Sequence, residues 1–526
     1  MTALTIDMQG VDMILSMPEY YINYNLQLLL QNGTTTTGGS LSKISLSVGT
    51  NAWINGTVDS LSTRFDVAGS VQKVRFLVHF ASGTMDYYDL GTGVPVKETA
   101  DITGLTFAVL VDLSYADLDA NSSIPADVKA AIKARMSNLG AGAFTIRQFF
   151  MDIDDAAISS PDPVATVYPP KFPASAIAMF PTYMRLYLTQ VASAGGTTLG
   201  YAVKVQNPGS LTDPTASFPP TDLMLVTNAY QPDTGQKPDP TMNCLNYLMM
   251  TGANPQFPSN LKPWWGNFVQ PGDDTNGIFG AMAIRSGLFQ SFLLKKLGPI
   301  ACRYVTVNDV DGSLDIDTTA AVGAFTPTAN GGTFSVKGIT GKSHLTNTFS
   351  NDDAQYSFDF SVNLTINPAT NTITILRTSV FTIAVTHWYG IEGHAVTSEC
   401  GLTFTVPVTY TITLLGVSDG ALQVSVTESY PQEPPNEVSD TDYFWLITGT
   451  TGSWSFWVSV QDTFDSVLAK GIAACIPDAL PPDMKTALET SLNLAPFVFP
   501  GGAQLYMKNP LFTDAGDLTV GMSFKA

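Results

Sequence analysis

The chain has 526 residues, too many for one ordinary core and enough for two or three domains that each bury a substantial interior. Charged residues make up only 13%, and 25 Lys and Arg stand against 45 Asp and Glu, a formal net charge of -20. That balance repels phosphate backbones and anionic headgroups and argues against nucleic acid as a partner.

In chain order, Met1 to Asp12 have no basic start and no long apolar stretch, so no secretory signal is expected. A first helix is expected from Pro18, with Ile22, Leu26, Leu29 and Leu30 recurring on one face and Gly33 after its end. Period-two alternation predicts strands at 71–80 and 106–113. A second helix follows from Pro125 to Met136, with Val128, Ile132 and Met136 four apart and Asp127 in its first turn, and then an aromatic strand at 144–151. Proline-rich stretches at 159–173, 207–220, 231–240 and 430–436 read as edges or linkers, because proline has no N–H to give a central ladder.

The third helix, Arg285 to Leu297, gathers Phe289, Phe292, Leu293 and Leu297 and is expected to stop at Gly298-Pro299. Asp311-Gly312 predicts a tight hairpin within 304–317, and strands follow at 356–366, 372–386, 402–414 and 421–429. A fourth helix from Pro482 repeats the pattern with Met484, Leu488 and Leu492, before a strand at 497–507. The class is α+β and β-rich, built of antiparallel meanders. No apolar run approaches the ~20 residues of a membrane-spanning helix. Cys244, Cys302, Cys400 and Cys475 are far apart and read as buried thiols in a reducing compartment, so the expected location is cytoplasmic, or outside after release without a classical signal.

Residues 125–132 align without a gap on 481–488, sharing Pro, Asp, Lys and Ala, and an aromatic strand follows each copy. Chance likeness between amphipathic helices is one explanation and internal duplication is the other. A helix with a wide apolar stripe has to bury it, and a weakly charged meander offers a concave face for it. If the sheet curls round the helix, the interior is either packed solid or open to an acyl chain, which gains ~0.8 kcal/mol per buried methylene.

Asp12 to Leu30, with Ser16-Met17-Pro18-Glu19 leading into the helix, resembles the TULIP-type (tubular lipid-binding) proteins encoded beside botulinum neurotoxin genes. So do Trp264-Trp265-Gly266-Asn267-Phe268 through Phe279-Gly280, the strand Phe144 to Asp152, and Phe497 to Gly502 followed by Lys508-Asn509-Pro510. The resemblance implies two TULIP-like units of highly curved antiparallel sheet wrapped around long helices, about 1–235 and 241–526, with strands open to exchange between them. It implies a lipid or fatty-acyl ligand and a role as accessory to a bacterial toxin or insecticidal system. It brings no catalytic residues and no cofactor. The candidate lining residues come from the helix faces: Ile22, Leu26, Leu29, Val128, Ile132, Met136, Phe289, Phe292, Leu293, Met484, Leu488 and Leu492.

Other chemistry is weakly signalled. His387 and His394, with Glu392, Glu399 and Cys400, are the densest potential metal ligands, but Trp388 and Tyr389 suggest a packed hairpin instead. A calcium loop registered on Gly312 puts Val307 and Thr318 where carboxylates belong. Asp273-Asp274 reads as a solvated turn. No nucleophile elbow, phosphate loop or dinucleotide fingerprint occurs, and enzyme activity is not expected. The runner-up is a β-sandwich adhesin or glycan-binding module, in which Trp264, Trp265, Trp388, Trp445, Trp454 and Trp457 stack on sugars. A third reading is a structural component of a toxin complex that binds no lipid.

Overall fold

The computed structural model describes residues 6–65, 72–118 (without 90 and 92), 144–205, 220–232, 237–251, 256–262, 266–301, 326–328, 331–347, 350–391, 394–418, 421–429 and 505–524, with the single positions 126, 129, 130, 218 and 235. In order the elements are β1 (Met13–Pro18), α1 (Glu19–Asn32), β2 (Lys43–Val48), β3 (Ala52–Arg64), β4 (Lys73–Asp89), β5 (Val96–Asp101), β6 (Thr106–Asp117) and β7 (Phe144–Asp152). Next come α2 (Asp155–Ser159), α3 (Ala174–Ser193), β8 (Thr198–Val205), β9 (Asp222–Asn228), β10 (Cys244–Met250), β11 (Gly280–Ile284) and α4 (Ser286–Ala301). The rest are β12 (Thr326–Thr328), β13 (Gly331–Asn347), β14 (Ser350–Asn367), β15 (Thr372–Ile391), β16 (His394–Ser418), β17 (Ala421–Ser429), β18 (Leu505–Phe512) and β19 (Leu518–Phe524). The chain is β-rich, with few helices and a curled half-barrel sheet.

Two compact units divide it, one of Ala3–Arg285, Gly416–Ala421 and Ser491–Ala526, the other of Met1–Thr2, Ser286–Leu415 and Leu422–Thr490. The first holds a six-stranded sheet in the order β18-β19-β11-β1-β10-β9 and a seven-stranded one in the order β2-β3-β4-β6-β7-β8, with β5 added on β4. Strands from both sides of the expected 235/241 boundary share that six-stranded sheet, since Met13 opposes both Met249 and Ile284. In the second unit β12 to β17 form one meander in chain order. Its strands are longer than alternation alone suggests, reaching 25 residues in β16, because Thr and Ser continue the pattern beyond the apolar stretch.

Three local expectations are corrected. Pro18 does not open the first helix; it ends β1 opposite Cys244 and caps α1 in an extended conformation, φ -72° and ψ 151°. The expected stop at Gly298-Pro299 fails, since α4 runs on to Ala301: the proline ring fixes φ near a helical value and costs one bond in the last turn. The third concerns a helix with no counterpart in the sequence reading. Helix α3 runs 20 residues straight through Pro181. Its buried Ala176, Phe180, Tyr183, Met184, Tyr187, Leu188 and Val191 follow helical spacing, and their burial outweighs the bond that Pro181 removes. The expected helix at 482–492, its octapeptide and the hairpin at 304–317 lie outside the described residues, and of the expected helix at 125–136 only positions 126, 129 and 130 are described, all three helical.

Candidate apolar site

Helix α1 buries Tyr21, Ile22, Leu26 and Leu30, with Leu29 half-buried, against the first unit's interior. Its polar face serves a second purpose. Strand β2 pairs with β3 only from Ala52 to Thr57, leaving the outer edge of β3 beyond that point to other partners. Asn23 takes up part of that edge: its Oδ1 accepts from the Thr63 N–H at 2.6 Å and hydroxyl at 2.9 Å, and its Nδ2 donates to the Thr63 carbonyl at 3.1 Å. Gln27 donates to the Asp59 carbonyl at 2.9 Å, and the buried Glu19 carboxylate accepts from the Phe65 N–H at 2.9 Å. A helix side-chain row thus completes a strand edge, which removes a site for unwanted pairing.

Helix α3 lies on the inner face of the seven-stranded sheet. Phe180 meets Phe80 and Phe107 with ring centroids 5.8 and 5.5 Å away, and the Tyr183 and Tyr187 hydroxyls donate to the Asp86 and Leu41 carbonyls. In the second unit Phe289 and Leu293 are fully buried on α4, and Phe289 stacks on Phe292 at 6.3 Å. Of the sequence-derived lining set, Ile22, Leu26, Phe289, Phe292 and Leu293 are buried. Val128, Ile132, Met136, Met484, Leu488 and Leu492 lie outside the described residues.

The six-stranded sheet is the more informative feature, and the sequence reading passed over it. Every residue of β1, β10 and β11 is buried, so both sheet faces are covered. Short apolar runs between turn signals, such as Cys244 to Met250, are the signal that marks such strands. Alternation sends Leu15, Met17, Leu245 and Tyr247 to one face, where Tyr247 packs on Phe149 at 5.4 Å and donates to the Leu199 carbonyl at 2.9 Å. The opposite face carries Ile14, Val226, Cys244, Leu248, Ala281 and Ala283.

Among the described residues, irregular chain covers this second face. Ile6, Met8, Val11, Met242, Phe268 and Val269 pack onto it, and Tyr20, Tyr230, Phe257 and Leu261 line its partly buried rim. The roof is held by an isolated bridge from Ile6 to Gly266 and by side-chain bonds: Asn228 Nδ2 donates to the Gly266 carbonyl at 3.0 Å, Asn267 Nδ2 to the Gln231 carbonyl at 2.6 Å, and Gln9 Oε1 accepts from the Lys262 N–H at 2.7 Å. Asp12 anchors the sheet end, accepting from the Thr251 N–H and hydroxyl at 2.8 Å each and pairing with Arg285.

At the centre of the apolar face stand two polar side chains. Ser16 and Asn246 oppose each other in the ladder, both fully buried, and the Ser16 hydroxyl donates to Asn246 Oδ1 at 2.6 Å. Asn246 Nδ2 has no hydrogen-bond partner. Burial pushes the neighbouring Cys244 thiol up to about 12, with the Asp273 and Glu19 carboxylates adding to the rise. Burial, then Asp274, raises Asp273 above the usual carboxylate range against the Gln270 N–H that lowers it. The surroundings of the face are therefore thiol, carboxyl and hydrocarbon.

Chemistry elsewhere is sparse. Among the described residues no three His, Cys, Asp or Glu side chains gather as metal ligands. His387 opposes Ser398 while His394 opposes Ile391, four rungs apart, about 13 Å along the hairpin. His79 points outward, its Nδ1 2.6 Å from Asp59 Oδ1. The turn at Asp273 is closed on itself, Asp273 Oδ2 accepting from the Gln270 N–H at 2.8 Å. Trp264, Trp265, Trp445, Trp454 and Trp457 lie outside the described residues, and Trp388 stands on β15 opposite Asn351 and Thr397.

The outer face of β3, β4 and β5 exposes Trp53 (43%) and Tyr88 (37%) on either side of Asp86. Burial pulls the Asp86 carboxyl upward, yet bonds from Lys97, the Trp53 N–H and Thr99 hold it below the usual carboxylate range.

No helix among the described residues is long and apolar enough to cross a membrane. No family model matches the chain, and no curated protein does. Among solved structures it is similar to P47 of Clostridium botulinum E1, with TM-score 0.45 and 11% identity over 98% of this chain and 100% of that one. P47 from Clostridium botulinum A2 gives 0.44 and 10% over 98% of both chains. A lipopolysaccharide binding protein gives 0.29 and 10% over 98% of this chain and 99% of that one.

Proposed function

We propose that this chain is a non-enzymatic binding protein for a lipid or fatty-acyl chain, held on the second face of the six-stranded sheet. One observation carries the reading: a buried sheet face, apolar except for the Ser16–Asn246 pair, lies under irregular chain that includes Met8 and Met242. Chain held by side-chain bonds and one bridge, with no ladder of its own, opens locally at a lower cost than a sheet, and methionine side chains repack around ligands of varied shape. Each methylene an acyl chain brings to such a surface gains ~0.8 kcal/mol. The sequence resemblance extends the proposal to service beside a bacterial toxin. Gentle purification, solvent extraction and mass spectrometry test it together with uptake of a fluorescent fatty acid. Co-purifying lipid and saturable uptake are expected; a protein repeatedly free of lipid that takes up no probe refutes the reading.

A second reading, glycan binding, is favoured by Trp53 and Tyr88 beside the ionised Asp86 and the Lys97 ammonium 2.9 Å from it. Aromatic faces with a charged polar pair between them stack on and hydrogen-bond to sugars. Loss of polysaccharide binding on Trp53→Ala would support it, and retention would dismiss it.

A further inference from the structure

Resting on the lipid reading, we infer that Asn246 is the polar anchor of the site and that it selects an uncharged acyl carbonyl, as in an ester or amide lipid, over an ionised fatty acid. Asn246 lies among Cys244, Leu248, Ile14, Val226 and Ala281, with no exposed surface of its own. Its one side-chain bond runs from Ser16, which uses Oδ1 and leaves both Nδ2 hydrogens unspent. Buried polar groups in folded proteins are almost always paired, so a spare amide donor at the middle of an apolar face marks where an acceptor belongs.

The acceptor's charge follows from the neighbours. Burial first, then Asp273 and Glu19, raise the Cys244 thiol beside Asn246, and the same burial and carboxylates would oppose a bound carboxylate. Arg285, which follows β11 beside the Asp12 end of β1, is engaged with Asp12. A neutral carbonyl takes the amide N–H without bringing a charge into hydrocarbon, whereas an ionised head would have to be desolvated beside two carboxyl groups. Ser16 holds the amide in orientation and is a positioning residue, and the hydrocarbon tail runs under the Met8 and Phe268 cover.

The test is binding of methyl palmitate, palmitate at neutral pH and hexadecane to the full chain and to Asn246→Leu, with the infrared stretch of carbonyl-13C methyl palmitate read in the unaltered protein. Expected are a hydrogen-bonded, lowered carbonyl band, a preference for the ester over palmitate, and a tenfold or greater loss of ester affinity in Asn246→Leu with hexadecane unchanged. The infrared reading does not depend on the variant's folding. A free-carbonyl band, or a preference for palmitate, overturns the inference while leaving lipid binding standing. Uptake of none of the three ligands by the unaltered protein overturns both.

Discussion

Replacing Asn23 by Leu removes the three hydrogen bonds that close the β3 edge while keeping the volume of the side chain. Thr63 has no exposed surface, so its N–H, which meets Asn23 Oδ1 at 2.6 Å, is left in a dry place without an acceptor. An unsatisfied buried donor costs about 1–3 kcal/mol, and the Thr63 carbonyl and hydroxyl each lose the bond to Asn23 as well. Asn23 is itself half-buried, which lets water recover part of the loss, and the net cost comes to about 2–3 kcal/mol. Amide hydrogen exchange across 58–65 reads this directly: a local loss of that size accelerates exchange roughly 30- to 150-fold. Gln27→Leu is the control. Its single bond to Asp59 is exposed, and less than about 1 kcal/mol is expected. Unchanged protection at Thr63, or equal effects from the two variants, would refute the view that α1 side chains complete the strand edge.

Three further outcomes are expected. Phe180→Ala empties the space between Phe80 and Phe107 and should cost about 3–5 kcal/mol in denaturant unfolding, with no more than a small loss if α3 is not part of the core. Gly33→Ala places a Cβ 2.5 Å from the Leu29 carbonyl and 2.7 Å from Leu41, so a loss of about 1–3 kcal/mol is expected by the same measurement. Asp162 lies below the usual carboxylate range: burial raises it, but Arg75 at 2.6 Å and the Val164 and Ala165 N–H groups outweigh that. Its folded pKa is below its unfolded value, so its stabilisation is present above about pH 4 and is lost as pH falls through the folded pKa. Arg75→Met should lower stability at neutral pH by about 3 kcal/mol and move the onset of acid unfolding to higher pH, as followed by circular dichroism.

The legible parts of the fold were those with a clean period. The stripe of Ile22, Leu26 and Leu30 and the alternation at 421–429 predicted α1 and β17, the latter to the residue. Helix α3 was hidden by Pro181, a local signal that says stop, while the evidence that it continues lies in its contacts with Phe80, Phe107 and Leu41. The six-stranded sheet was missed for a different reason. Strands buried on both faces show no alternation, and Ile14 opposing Leu248 is a pairing 234 residues apart that no local pattern encodes. In sequence Asn246 is one polar residue in the run 244–250; only the register that brings Ser16 opposite it reveals a donor left over. The two histidines near 390 show the converse, since closeness in sequence became four rungs of separation once the hairpin register was fixed.

Photo-crosslinking with a diazirine-bearing fatty-acyl ester, mapped by peptide mass spectrometry, tests the central claim most directly. The account expects saturable labelling, competed by unlabelled ester, confined to 6–20, 224–230, 242–250, 257–269 and 278–284. Labelling that does not saturate, or that falls outside those segments, would contradict it.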